Sequence, residues 1–496
     1  MRRPRVTGPT QVVVLAAALA AAVRLLLLAA PLSPDEAGFL LIARQWSPGR
    51  SLYGDYWVDR PPGLLALFAL AHGATGLRLL GVLAAVVSVL LAARLARTVA
   101  PDRRWAPATT AGLVAALVSS RLLDVTMVDG EVLALPFLLA GLVAALRATL
   151  APRGHLGWAL AAGAAGAAAL SVKQNLADVV VAVACLAVVL AVRRRPRAAL
   201  LLAGGAVVGA ALTGAVVLGL AWTRGTSPPA LWDAVVLFRL RAADVLSAPT
   251  HAAATRARDL GLALVLTGAP LVLLRLPELL HRPGARRGPV TASDPLLGWV
   301  AAVLVAWELV SVTAGGSFWL HYLVGLVPGL ALVLALTTGH RSGHLPALPT
   351  WTVLGATVTS AVVGLGVVLV HPPSRPAAEV AVTRYLRDHA HLGRTAVVTF
   401  GHPSILEAAG MRSPYPLIWS LPMRVEDPRL RQLAPLIRHR RAQWVLVDPR
   451  ALTAWGLDGT RAERLLARNY RPAFRSGDLV VWRAVRPGHA WHPPTV

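Results

Sequence analysis

The 496-residue chain has a single cysteine, Cys185, set inside an apolar run. One thiol excludes an internal disulfide framework and a thiolate metal site, and leaves Cys185 as a small core residue. Charge is scarce as well. Only 15% of residues are Asp, Glu, Lys or Arg, where soluble domains carry roughly 25%. Lysine is almost absent, and arginine supplies nearly all the positive charge. The chain has no Gly-rich phosphate loop, no Gly-x-Ser-x-Gly elbow and no dinucleotide fingerprint. Its histidines show no zinc-ligand spacing, and His389-Ala-His391 reads as a solvated helix face.

Apolar residues make up 56% of the chain, and the mean hydropathy is +0.59. That composition describes an integral membrane protein. The formal charge of +25 resembles a nucleic-acid signal, but its placement excludes that partner. The basic residues cluster between apolar runs, as in Arg193 to Arg197 and Arg282 to Arg287, without interleaved aromatics. Basic clusters beside spans fix the orientation of membrane proteins.

Runs of spanning length fall near 11–30, 77–98, 106–121, 131–147, 156–171, 176–192, 199–222, 260–276, 295–313, 322–338 and 351–371. About eleven spans are expected, with the first a retained anchor and the N-terminus cytoplasmic. Alternate counting puts the basic segments 93–104, 147–155, 193–197, 275–288 and 339–344 on the cytoplasmic side. The apolar stretch 62–76 is short for a span and is expected to lie on or re-enter the outer face. A second such helix is expected at 228–247. There Leu231, Val235, Phe238, Ala242 and Val245 form an apolar stripe among Asp233, Arg239, Arg241 and Asp244.

After His371 the composition becomes that of a soluble domain. Strands are expected at 395–401, 443–448 and 479–482, with helices near 376–390, 426–441 and 459–469. The expected fold is mainly α. It has a membrane domain over 1–371, a small extracytoplasmic α/β domain over 372–485 and a disordered tail over 486–496.

The polar loop between the first two expected spans, 31–76, holds the densest chemistry. Ser33-Pro34-Asp35-Glu36 has the pattern of a capping box, with acids suited to the first turn of a helix. Ser33 and Glu36 suffice for that box, so Asp35 remains for general-base work on an acceptor hydroxyl. Asp59-Arg60-Pro61-Pro62 closes the loop. It reads either as a turn entering a Pro-started helix or as a guanidinium set to pair with phosphate oxygens.

Lys173, the one lysine in the chain, stands at the expected outer end of a span in Ser171-Val-Lys-Gln-Asn175. It is either a snorkelling anchor or the partner of an anionic lipid headgroup. Asp124, Asp129 and Glu131 read first as caps for the next span, and otherwise as ligands for a sugar or a cation. Trp319, His321 and Tyr322 fit interfacial aromatics or the wall of a sugar or phosphate pocket.

Together these motifs resemble the membrane glycosyltransferases of the C-type fold, in the branch of bacterial aminoarabinose transferases and protein O-mannosyltransferases. The resemblance rests on Asp35-Glu36, on the helix from Ala37 to Arg44, on Gly49 to Tyr53 and on Asp59-Arg60-Pro61-Pro62. Lys173 and His321-Tyr322 to Pro328 extend it. It covers about 1–340 and is densest over 33–65. In two places the chain departs from the pattern: Arg60 stands where lysine is usual, and Gln174-Asn175 replaces Gly-Pro.

The resemblance implies an inverting transfer of a sugar, mannose or a related one. The donor would be a polyprenyl phosphate, and the acceptor a hydroxyl of a cell-envelope molecule on the outer face of the plasma membrane. Asp35 would be the base. Glu36, Asp59, Arg60, Lys173, His321 and Tyr322 would bind substrate or donor phosphate. No metal ligands are assigned, although a divalent cation is compatible with the site. The alternative is a non-catalytic transporter of lipid-linked sugars, or an assembly scaffold with the same fold. A transporter calls for polar or broken helices near the bilayer midplane, whereas these spans are Ala, Leu, Val and Gly with polar ends.

Overall fold

A computed structural model describes residues 8–151, 154–247, 250–281, 290–339, 348–399, 401–448, 452–453 and 456–485. The basic run 282–287 and the tail 486–496 lie outside the described residues.

In chain order the helices are α1 (Pro9–Leu26), α2 (Pro34–Gln45), α3 (Pro62–Ala71), α4 (Ala74–Val99), α5 (Ala106–Val118), α6 (Gly130–Leu150), α7 (His155–Val172) and α8 (Asp178–Val192). Then come α9 (Pro196–Thr223), α10 (Pro228–Trp232), α11 (Phe238–Ser247), α12 (His251–Leu266), α13 (Ala269–Leu273), α14 (Leu276–Leu280), α15 (Leu296–Thr313), α16 (Val327–Thr337) and α17 (Thr350–Val370). The chain closes with α18 (Ala377–Asp388), α19 (Pro403–Ala409), α20 (Ser420–Glu426), α21 (Leu433–Arg438) and α22 (Thr460–Asn469). Four strands, β1 (Ala396–Val398), β2 (Trp444–Val447), β3 (Tyr470–Ser476) and β4 (Leu479–Ala484), are interleaved with these last helices.

Among the described residues, eight helices are long and apolar enough to cross a membrane. A ninth span is formed if α12 and the α13–α14 segment, bent by 62°, count as one. The chain is thus a multi-pass membrane protein. Two of the eleven expected spans, 106–121 and 176–192, are shorter helices: α5 has 13 residues and α8 has 15. Roughly 20 residues are needed to cross the hydrocarbon unaided. The expected surface element at 62–76 is the 10-residue α3, which ends at His72 in the left-handed conformation before Gly73. The stretch 228–247 is helical as expected, with a π-helical turn, Asp233–Leu237, between α10 and α11.

The chain forms two compact units. The first comprises residues 1–30, 60–220 and 246–373. In it α6 packs along α7, α4 and α8, and α4 also packs along α1 and α5. Small residues allow this closeness. A Cβ at Gly163 would lie 1.8 Å from the Ala206 carbonyl oxygen, so α7 and α9 touch through backbone.

The second unit joins 31–59, 221–245 and 374–496. Its sheet has the order β1-β2-β4-β3, with β1 and β2 parallel and the other pairs antiparallel. Its core includes Val397, Tyr415, Leu417, Met423, Val445 and Tyr470. Burying each large apolar side chain contributes about 1.5–3 kcal/mol. The expected helix 426–441 is realised only as the six-residue α21, and a separate short helix, α20, precedes it. Asp427 ends α20 and accepts a 2.6 Å hydrogen bond from the Arg431 amide, while Pro428 denies the chain a helical N–H. The strand β3 was not expected from the sequence.

Candidate functional site

In the first unit, the local sequence brings five polar side chains into one cluster, with Tyr322 half-buried and the other four buried. Asp129 is the N-cap of α6 and accepts a hydrogen bond from the Val132 amide at 3.4 Å. Glu131 follows in the first turn, where a carboxylate suits the helix dipole. Lys173 is the C-cap of α7, the helix that pairs with α6, and its ammonium meets Glu131 in a short ion pair. The same ammonium lies 4.3 Å from the ring centroid of Tyr322. His321 Nε2 is 3.3 Å from Asp129 Oδ2, and its ring stands edge-on to Tyr322 at 4.9 Å. Lys173 is the only lysine in the chain.

Space for that lysine comes from Gly130, where a Cβ would lie 3.2 Å from Lys173 Cδ. The turn after it is clamped to α15. Asn175 Nδ2 donates to Ser311 Oγ at 2.9 Å, and Ser311 Oγ donates to the Asn175 carbonyl at 3.0 Å. Arg60 and its prolines lead into α3, which packs on the end of α7. A Cβ at Gly63 would lie 2.6 Å from the Ser171 carbonyl oxygen, so the segment carrying Arg60 and the segment carrying Lys173 touch backbone to backbone.

Burial pushes the Asp129 carboxyl up to about 7, against the downward pull of His321. One ligand-type atom each from Asp129, Glu131 and His321 lies within 4.8 Å of the others, a donor set that fits a small divalent cation. The Lys173 ammonium already supplies a positive charge there. Such a cation would take the same carboxylates and compete with it.

In the second unit, Ser33 and Glu36 form the expected capping box, with bonds of 3.2 and 2.8 Å. Glu36 is fully buried in that role. Asp35 is not left bare: Trp419 Nε1 donates a 2.9 Å hydrogen bond to its Oδ1. Asp59 pairs with Arg239 at 2.6 Å. The loop is tied down along its length by Arg44–Glu407 at 3.1 Å, by Trp46 Nε1 to Thr226 Oγ1 at 3.0 Å, and by the Trp57 amide to the Pro416 carbonyl at 3.0 Å.

Of the residues singled out from sequence, Lys173, His321 and Tyr322 are therefore assembled with one another. Asp35, Glu36 and Asp59 belong to the second unit. Asp129 and Glu131, read first as helix caps, are both cap and cluster. Trp419 and Arg239 were missed, and no short-range pattern marks either one.

No protein-family model matches the chain, and no curated protein matches it. Solved structures do. The structure of ArnT from Cupriavidus metallidurans bound to undecaprenyl phosphate superposes with a TM-score of 0.64 at 16% identity, over 96% of this chain and 98% of that one. The apo ArnT structure gives 0.62 at 15% identity, over 95% and 98%. The mycobacterial arabinofuranosyltransferase AftD gives 0.48 at 16% identity, over 94% of this chain and 41% of that one. The ArnT match over nearly the whole of both chains shows that this chain has the C-type membrane glycosyltransferase fold.

Proposed function

We propose that the protein is an inverting glycosyltransferase that moves a sugar from a polyprenyl-phosphate donor to a hydroxyl acceptor. The buried Lys173 cluster carries this reading. A lone lysine and a histidine, held at helix ends among acids and a tyrosine, form a polar site in an otherwise apolar framework. The ArnT structure that shares this fold holds undecaprenyl phosphate, which supports a lipid phosphate as the donor's carrier.

In the reaction an acceptor oxygen attacks the anomeric carbon as the bond from that carbon to the phosphate oxygen breaks. The phosphate keeps the electron pair, and the acceptor proton passes to a carboxylate. Asp35 takes that proton. Lys173 and Arg60 offset the charge that develops on the leaving phosphate, where such stabilisation lowers the barrier most. His321 and Tyr322 orient the headgroup, while Asp59 and Glu36 hold the loop that presents Asp35. The donor sugar is mannose or a relative, and the acceptor is a cell-envelope molecule. The chain divides into a membrane domain over 1–371 and an α/β domain over 372–485. The N-terminus is cytoplasmic, and the reaction and the α/β domain are on the outer face of the plasma membrane.

The test is turnover by purified protein of a panel of radiolabelled polyprenyl-phosphate sugars, mannose first, with envelope extract as acceptor. Label must move from lipid to acceptor in the wild type and stay on lipid with Lys173→Met. Wild-type protein that leaves every donor intact sinks the proposal.

One observation favours the second reading, a transporter of lipid-linked sugars. The break between α12 and α13 at Thr267-Gly268, with Gly268 at φ +79°, is a bent span of the kind transporters use. Reconstituted vesicles separate the two readings, since a transporter moves labelled lipid across the bilayer without transferring its sugar.

A further inference from the structure

The second unit carries a basic cavity that the transferase reading does not use. Arg375, Val380, Thr383, Arg384 and Arg387 line a cavity of about 190 Å3 on α18. The last four recur at helical spacing and share one face of that helix. The rest of α18 is committed elsewhere. Val382 and Leu386 are buried, and Glu379 binds His402 Nδ1 at 2.9 Å and receives a 3.4 Å bond from Ser404 Oγ.

Three features make this face a binding site rather than a solvated stripe. Arg387 is fixed, since its Nη2 donates to the Ala408 carbonyl at 2.8 Å, and its other N–H groups remain for a ligand. Among the described residues Arg375 and Arg384 make no ion pair or hydrogen bond, although Asp388 follows on the same helix. Thr383 is 5% exposed, and its hydroxyl, buried within the cavity's lining residue, has no partner among the described residues. A buried hydroxyl without a partner is costly, and a ligand oxygen would remove that cost. Beside these polar groups Val380 is 41% exposed.

We propose that Arg375, Thr383, Arg384 and Arg387 bind the phosphate group of an anionic ligand. Guanidinium groups pair bidentately with phosphate oxygens in strong, charge-assisted hydrogen bonds. The Thr383 hydroxyl donates one more. The phosphate is carried by a lipid headgroup or is free in solution. Exposed Val380 beside the arginines, on a helix that begins seven residues after the last span ends, suits the lipid source.

The experiment uses the full chain in neutral detergent, with saturable binding read by microscale thermophoresis. Inorganic phosphate is titrated in one arm and short-chain dihexanoyl-phosphatidylglycerol in the other. Binding must weaken about tenfold or more in Arg384→Gln and also in Thr383→Val, which keeps every charge. It must be unchanged in Arg468→Gln, an exposed arginine on α22. Tighter binding of the lipid than of phosphate identifies a headgroup site, and binding of phosphate alone identifies a solution anion. Both support the site. Arg384→Gln and Thr383→Val titrating like the wild type in both arms overturns it. The readout needs no sugar donor, so its failure is separate from failure of the transferase reading.

Discussion

Trp419 Nε1 donates a 2.9 Å hydrogen bond to Asp35 Oδ1, linking residues 384 positions apart in the chain. The indole also lies against α2: a Cβ at Gly38 would sit 2.1 Å from Trp419 Cζ2, and the Phe39 and Trp419 rings are 5.5 Å apart. Asp35 is thus held by a neutral donor that leaves its second oxygen for a proton. Gly38→Ala forces the indole away. Overpacking of this kind costs about 1–3 kcal/mol. Thermal unfolding of the Gly38→Ala protein in detergent is expected to shift down by several degrees, with transfer reduced at least tenfold. An unchanged midpoint and rate would show that the indole does not hold Asp35.

Lys173 neutralises the buried Glu131. Removing it strands Glu131, and breaking a buried pair costs about 3–5 kcal/mol. Lys173→Met is therefore expected to lose stability, and Lys173→Met with Glu131→Gln to recover most of it. Transfer is expected to stay at least a hundredfold down in both proteins, because the second change restores no cation for the phosphate. Recovery of transfer along with stability would make Lys173 purely structural.

His402 gives the second unit a pH dependence. Burial alone would lower its pKa, but hydrogen bonds to Asp448 at 2.6 Å and to Glu379 at 2.9 Å raise it to about 9. A folded-state value above the unfolded one stabilises fully below about pH 6.5. That stability is lost as pH rises through about 9. The difference amounts to on the order of 3 kcal/mol. Hydrogen exchange in β1 and β2, corrected for intrinsic rates, is expected to accelerate between pH 6.5 and 9 in the full chain. In His402→Gln the acceleration is expected to vanish.

The Asp129, Glu131 and His321 donor set fits a divalent cation, yet Lys173 already holds Glu131. Transfer is accordingly expected to persist in EDTA at the wild-type rate. Loss of transfer in EDTA that manganese or zinc restores would show that a cation displaces the lysine.

The capping box at Ser33 and Glu36 was legible in the sequence because its partners are three residues apart and their chemistry is local. Most spans were legible for a similar reason: a long apolar run has few other places to go. The length of α5 and α8 was not, because hydropathy does not say where a helix stops against its neighbours. Lys173 and the acids at 129 and 131 each attracted notice alone. Their pairing needed the α6–α7 hairpin, which brings residues 42 apart into contact. Trp419 on Asp35 and Arg239 on Asp59 were out of reach, since nothing near either partner marks the contact. Strand β3, Tyr470–Ser476, was hidden by its arginines and proline. It is an edge strand with several exposed residues, and it lacks a clean alternating pattern.

The central claim is that Asp35 takes the acceptor's proton during transfer from a lipid phosphate. The most direct measurement is single-turnover transfer from a radiolabelled polyprenyl-phosphate sugar by purified wild type and Asp35→Asn, with both proteins matched for folding and for donor binding. The amide keeps the shape and accepts the Trp419 hydrogen bond but takes up no proton. The account predicts a rate at least a thousandfold lower with donor affinity unchanged. A wild-type rate in Asp35→Asn would contradict it and leave Asp35 as an acid that only starts a helix.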